Sequence, residues 1–146
     1  MTLTRADEAA AIFSEGYSCA QAVAAAFAED FGIEKEKALR LSCGFGGGMS
    51  HTGGTCGAVT GALMVIGMKY GMTDASDPGA KAKTYAVANE FITEFLRRNH
   101  AVSCTDLLGH NLSDPKELAL VKENNLFRVT CTRYVHDAGE ILEKIL

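Results

Sequence analysis

The chain has 146 residues, enough for one folded domain, and we expect a single domain over residues 1–146. Hydrophobic residues make up 47% of it and charged residues 22%, which is typical of a soluble globule with a core. The formal net charge of −4 and the absence of basic clusters argue against a nucleic-acid-binding surface. Aromatic residues make up only 8% and Trp is absent, which argues against a base-stacking platform.

Helix signals follow one another along the chain, and no stretch alternates apolar and polar residues for long enough to predict a sheet. The predicted helices are Thr4 to Glu15, Cys19 to about Asp30, Glu34 to Ser42, Cys56 to about Tyr70, Asp77 to about Asn99, a short one from Asp114, and Phe127 to Leu146. Cys104 to Leu108 is predicted to be a short helical turn. On the helix that begins at Asp77, the predicted inner face includes Tyr85, Phe95 and Leu96. We therefore predict an all-α, compact single-domain bundle of five to seven helices.

A glycine-rich loop precedes the central helix of this bundle. Eight of the 15 glycines lie between Gly44 and Gly61, and ordering such a loop costs much conformational entropy. A close approach to another backbone or to a bound group would offset that cost. Thr55 is the predicted cap of the central helix, with Cys56 in its first turn. The apolar stretch 56–68 is shorter than the roughly 18 residues that span a bilayer, so we predict a buried helix and no membrane insertion.

Cysteine is the unusual residue type, with five copies. No charged start with an apolar signal segment precedes them, so we expect a cytoplasmic protein, in which stable disulfides are rare. Ser or Thr precedes Cys19, Cys56 and Cys104, as at helix N-caps. The start of a helix stabilises a thiolate, and we expect Cys56 to have the lowest pKa of the five thiols.

Several motifs of known chemistry are absent from the sequence. There is no GxGxxG, P-loop lysine, HExxH, CxxC or GxSxG nucleophile elbow. Gly57 and Gly61 share one face of the central helix, where either another helix or a bulky inorganic group can approach closely. With Gly54 they form the predicted cofactor-binding positions. The same glycine face leads us to expect a homodimer.

The order and spacing of the cysteines resemble those of a known family. The matching stretches are YSCAQAV at 17–23, GFGGGMSHTGGTCGAVTGALMVIG at 44–67 and CTDLLG at 104–109, followed by Cys131. They are similar to the C_GCAxxG_C_C family of redox-active proteins, which shows an early Cys, a CGAxxG element and two later cysteines. The family is distantly similar to part of the split-Soret cytochromes. The resemblance covers nearly the whole chain and implies a site made of Cys19, Cys56, Cys104 and Cys131.

Two mechanisms compete for such a site. The four thiolates could hold an iron–sulfur cluster that transfers single electrons, or they could form reversible disulfides that carry two electrons. Zinc ranks last because the sequence has no close Cys pair, and the absence of CxxCH excludes covalent haem attachment. Family genes lie near transporters, so the resemblance also allows a non-catalytic carrier of a metal or small molecule. A redox partner is expected, of unidentified nature.

Two further residues near the site have open roles. Cys43 lies outside the four-cysteine pattern, and we predict that it is a buried thiol or else a spare thiol with no part in the site. His51 lies in the glycine-rich loop, five residues before Cys56. It is either a ligand or proton donor of the site or a solvated loop histidine.

Overall fold

The fold consists of helices throughout, and a computed structural model of the chain describes residues 3–146. The eight helices are α1 (Arg5–Ser14), α2 (Cys19–Ala28), α3 (Lys35–Ser42), α4 (Gly57–Tyr70), α5 (Pro78–Asn99), α6 (Cys104–Leu108), α7 (Pro115–Glu123) and α8 (Leu126–Ile145). No β-strand occurs within residues 3–146. The prediction of an all-α bundle is confirmed. The described part of the chain has one helix more than the upper limit of seven that was predicted, and the additional one is the short helix α6.

Capping side chains explain where most of these helices begin. Thr4 and Ser18 each accept a hydrogen bond from the backbone three residues later, and each takes part in a full capping box. Asp77 and Asp114 cap α5 and α7, and in both cases proline occupies the first turn, where it needs no amide hydrogen. These are local signals, so the predicted starts of these helices agree with the structure to within a residue or two.

The start of α4 differs from the prediction. The N-cap of α4 is Cys56, with extended backbone angles, and Thr55 lies one residue outside the helix. Thr55 instead forms an isolated antiparallel bridge with Ser103, at the start of α6. The bridge holds the chain extended until Cys56, so the helix begins one residue later than a Thr55 cap requires.

Helix α4 is the central helix, and its glycines contact α2. A Cβ atom on Gly57 would lie 2.8 Å from the backbone nitrogen of Ala20, and one on Gly61 would lie 2.7 Å from the Ala20 carbonyl oxygen. Glycine at both positions therefore lets the two helices touch. Another helix occupies this face, so the expected homodimer has no free glycine surface here. No helix of the described chain is long and apolar enough to cross a membrane.

Helix α5 turns a different face to the core than the sequence analysis predicts. Its buried residues are Val87, Phe91, Phe95 and Asn99, spaced four apart. Tyr85 is 60% exposed and Leu96 39% exposed, so the prediction is wrong for these two and correct for Phe95. Apolar residues occur all around this helix, and a four-residue spacing fits either of two neighbouring stripes. The contacts with α4 and α8 select the stripe that is buried.

Candidate functional site

A cavity of about 280 Å³ lies where the first turns of several helices meet. All five cysteines line it, together with Phe13, Tyr17, His51, Arg128 and Tyr134. Four of the cysteines come from four different helices: one begins α2, one caps α4, one begins α6 and one lies in the second turn of α8. The structure therefore brings together cysteines that are far apart in the sequence.

The five thiols differ in their exposure. Cys56, Cys104 and Cys131 are buried, Cys19 is half-buried, and Cys43 is exposed. The prediction of a buried Cys43 is wrong, because this residue begins a short 3₁₀ turn after α3 and opens to solvent. All five are free thiols, and no two of them lie at disulfide distance.

The glycine-rich loop forms a left-handed turn beside the cavity. Five consecutive residues, Gly47 to His51, have φ between 54° and 69°. Three of the five carry side chains, and each such residue costs about 1–2 kcal/mol in this conformation. Strain of this kind persists only where the surrounding structure holds it, and it is concentrated at functional sites.

Hydrogen bonds hold the turn against α6 and position two of the cysteines. The amide of Gly54 donates to the carbonyl of Gly48 at 2.9 Å, and the amide of Cys104 donates to the carbonyl of Gly54 at 2.6 Å. The amide of Cys56 donates to the carbonyl of Val102 at 2.7 Å. A Cβ on Gly48 would lie 2.7 Å from the Cys104 Cβ, so this glycine is needed for the close approach.

Cys19 and Cys131 are neighbours within the cavity. The interaction between their thiols lowers the pKa of Cys131 and raises the pKa of Cys19 well above its usual value. The positive charge of Arg128 also lowers the Cys131 pKa, whereas burial acts in the opposite direction. Cys131 is therefore the thiol that ionises most readily among the four.

The expectation that Cys56 has the lowest pKa is wrong. Burial raises the pKa of Cys56 to about 12, and the amides of Ala58 and Val59 at the start of α4 offset only part of that effect. Burial, together with the nearby Cys131, raises the pKa of Cys104 to about 11. At both positions the desolvation of a thiolate outweighs the attraction of a helix N-terminus.

Arg128 is a site residue that the sequence analysis missed. Its guanidinium lies 4.1 Å from the centre of the Phe13 ring and donates a hydrogen bond of 3.4 Å to the Tyr17 carbonyl. Arg128 precedes Cys131 by three residues on α8, so the two lie on one helix face. That spacing is visible in the sequence, but nothing there distinguishes Arg128 from Arg133 two residues after the cysteine.

One comparison with known families gives a match over most of the chain. A family model with the description "Putative redox-active protein (C_GCAxxG_C_C)" matches residues 17–145. The chain belongs to the C_GCAxxG_C_C family. The match includes all five cysteines and every helix from α2 to α8. No curated protein and no solved structure matches the chain significantly.

Of the other predicted site residues, two line the cavity and two lie outside its lining. Gly57 lines the cavity, whereas Gly54 and Gly61 lie outside its lining. His51 lines it and stacks on Phe127, with ring centroids 6.0 Å apart and planes inclined by 20°. The stack fixes the end of the left-handed turn against the start of α8. His51 therefore has a structural role, separate from the ligand or proton-donor role considered in the sequence analysis.

The cysteine set suits some metal groups better than others. Within residues 3–146, no three His, Cys, Asp or Glu side chains are close enough together to hold one metal ion. A tetrahedral zinc site therefore does not fit the arrangement. Four cysteines around one cavity are the donor set of an iron–sulfur cluster, whose ligands bind at separate iron atoms. The residues that would hold such a cluster are Cys19, Cys56, Cys104 and Cys131.

Proposed function

We propose that the protein is a thiol–disulfide redox protein whose reactive pair is Cys131 and Cys19. The observation that carries the proposal is the neighbouring position of these two thiols in the cysteine-lined cavity, where their interaction favours the Cys131 thiolate. A thiolate is the nucleophile in thiol–disulfide exchange, and a neighbouring thiol completes the reaction. Cys131 meets the first requirement and Cys19 the second.

The proposed reaction transfers two electrons to an external disulfide. The Cys131 thiolate attacks one sulfur of that disulfide, forms a mixed disulfide and releases one thiolate. Cys19 then loses its proton and attacks the Cys131 sulfur, which expels the second thiolate and closes the Cys19–Cys131 disulfide. The two sulfurs must move to bonding distance, about 2 Å, which requires a shift between the first turn of α2 and the second turn of α8. Reduction by an external dithiol reverses both steps.

Counting thiols in cysteine variants tests this proposal. The exposed Cys43 can form a mixed disulfide with the reagent, so the thiols are counted in a Cys43→Ser background. Reduced Cys43→Ser should lose two titratable thiols on treatment with a small disulfide, with no reagent bound to the protein, and regain them with dithiothreitol. The double variant Cys43→Ser/Cys131→Ser should form no intramolecular disulfide. An internal disulfide in the double variant would contradict the assignment, as would a Cys43→Ser protein that loses no thiols.

A second candidate function is electron transfer through an iron–sulfur cluster. It is favoured by the convergence of four cysteines from four helices on one cavity. Anaerobic purification followed by iron and acid-labile sulfide analysis tests this candidate. A brown protein with stoichiometric iron and sulfide, lost together in Cys56→Ser or Cys104→Ser, would support the cluster. A colourless protein free of iron would leave the dithiol mechanism.

A further inference from the structure

The environment of Arg128 is unusual for a cation that is half-buried. Arg128 takes part in none of the ion pairs formed within residues 3–146. Among the described residues, its one hydrogen-bond partner is the Tyr17 carbonyl, at 3.4 Å, and its guanidinium rests on the Phe13 ring. Arg97 and Arg98, by contrast, both pair with Glu94. Charges withdrawn from water are ordinarily paired, so Arg128 has capacity for an anion.

The charge of the residues that line the cavity also favours an anionic ligand. Among the described residues that line it, Arg128 carries the one permanent charge, and none is Asp, Glu or Lys. Apolar side chains such as Phe13, Leu107 and Phe127 form much of the remaining wall. A ligand with a negative group and a short apolar body therefore complements this cavity, whereas a cation does not.

We infer that Arg128 binds the anionic group of a small disulfide substrate and directs its sulfur to Cys131. The inference rests on the proposed thiol–disulfide function and assigns a substrate class to it. A bidentate guanidinium–carboxylate pair fixes orientation as well as position. Because Arg128 and Cys131 share a face of α8, a carboxylate held at the guanidinium places the adjacent part of the substrate within reach of the thiolate.

The proposed reaction breaks the disulfide of the substrate and forms a disulfide in the protein. The Cys131 thiolate forms a bond to one sulfur of the carboxylate-bearing disulfide, and the S–S bond breaks to release one small thiolate. Attack by Cys19 releases the second, and the protein gains a disulfide as the substrate becomes two thiols. The volume of about 280 Å³ limits the substrate to a small molecule and excludes a folded partner from this position.

A charged and a neutral reagent that react in the same way test the inference. Iodoacetate and iodoacetamide react with the same thiolate and expel the same iodide, but only the first carries a charge. The rate ratio of iodoacetate to iodoacetamide at Cys131, measured by peptide mapping, cancels any change in thiolate population. Arg128→Gln should lower this ratio by about fivefold or more, and Arg128→Lys should restore part of it. Raising the ionic strength should lower the wild-type ratio.

Arg133→Gln is the matched control, since it removes the same charge from the same helix at an exposed position outside the cavity lining. Its ratio should equal that of wild type. An unchanged ratio in Arg128→Gln, with both reagents slowed equally, would show that Arg128 acts only on the thiolate and would overturn the inference. Arg128→Met, which also removes the charge but keeps an apolar stem, provides the same test if the Gln variant is poorly folded.

Two small disulfides extend the test to the proposed reaction. Dithiodiacetate carries carboxylates and bis(2-hydroxyethyl) disulfide is neutral, and the rate of protein oxidation by each is followed by thiol loss. Arg128→Gln should slow oxidation by dithiodiacetate by about fivefold more than oxidation by the neutral disulfide. Equal slowing would overturn the substrate class but leave the proposed function intact. Failure of wild type to form any internal disulfide with either reagent would overturn the proposed function itself.

Discussion

Cys131 shows how two neighbouring groups can outweigh burial. Only 6% of the residue is exposed, and burial by itself would raise its pKa. The interaction with Cys19 and the charge of Arg128 both favour the thiolate, and the net effect lowers the pKa. Cys56 has the amides of a helix start, but burial is the larger effect and raises its pKa to about 12.

These pKa shifts predict an order of alkylation. The rate of alkylation rises with pH as a thiol ionises, so a lower pKa brings the rise to lower pH. Cys131 should therefore be modified before Cys104 and Cys56 near pH 8, where the latter two remain protonated. The measurement is timed alkylation of reduced protein followed by tryptic peptide mapping. Earlier modification of Cys56 than of Cys131 would contradict the assignment of the nucleophile.

At the scale of elements, the left-handed turn holds α6 at the cavity. Its Gly48 has φ +68, and a Cβ there would meet the Gly54 nitrogen at 2.5 Å as well as the Cys104 Cβ. Gly109, at the end of α6, has φ +80, but nothing lies within 4 Å of its Cβ position. Comparing alanine at Gly48 with alanine at Gly109 therefore separates the conformational cost of a left-handed alanine from the steric cost of its Cβ atom.

Alanine at these two glycines should have different effects on stability. Both variants bear the cost of a left-handed alanine, about 1–2 kcal/mol. Gly48→Ala adds the cost of overpacking, about 1–3 kcal/mol. Urea denaturation of both proteins gives the free energies of unfolding. If Gly109→Ala proves as destabilising as Gly48→Ala, the close contact between the turn and Cys104 is absent in solution.

The contact between α2 and α4 makes a second prediction at this scale. Gly61→Ala should lower the free energy of unfolding by about 1–3 kcal/mol, because its Cβ would press on the Ala20 carbonyl. Gly67→Ala, on the same helix with open space at its Cβ position, should raise it by about 0.5–1 kcal/mol through helix propensity. Thermal unfolding measures both. A stabilising Gly61→Ala would contradict the packing of these helices.

Local sequence signals predict where the helices begin, but they do not predict the left-handed turn of the glycine-rich loop. Ser18 with Gln21, and Asp77 with Pro78, specify helix starts within a few residues, and the structure has both. The left-handed turn depends instead on contacts with Thr105 and Phe127, which are far away in the sequence. Glycine content shows that such a loop is unusual, but it does not show the conformation that distant residues impose.

At the scale of the whole molecule, the site is a meeting point of helix starts. The family resemblance identified the four cysteines, and the fold places all of them on one cavity. Their relative acidity and the role of Arg128 could not be predicted, since both depend on which side chains the packing of α2, α6 and α8 brings together. The exposed Cys43 shows the same limit, because burial of a cysteine is a property of the assembled bundle.

The central claim is that Cys131 and Cys19 form the reactive disulfide, and disulfide mapping of oxidised wild type tests it most directly. Trypsin cleaves after Lys35, Arg98 and Arg128, which places Cys19, Cys104 and Cys131 on separate peptides. Mass spectrometry without reduction should then find one linked pair, the Cys19 and Cys131 peptides, that separates with dithiothreitol. A linked pair that leaves out Cys131, or an oxidised protein with no linked peptides, would contradict the account.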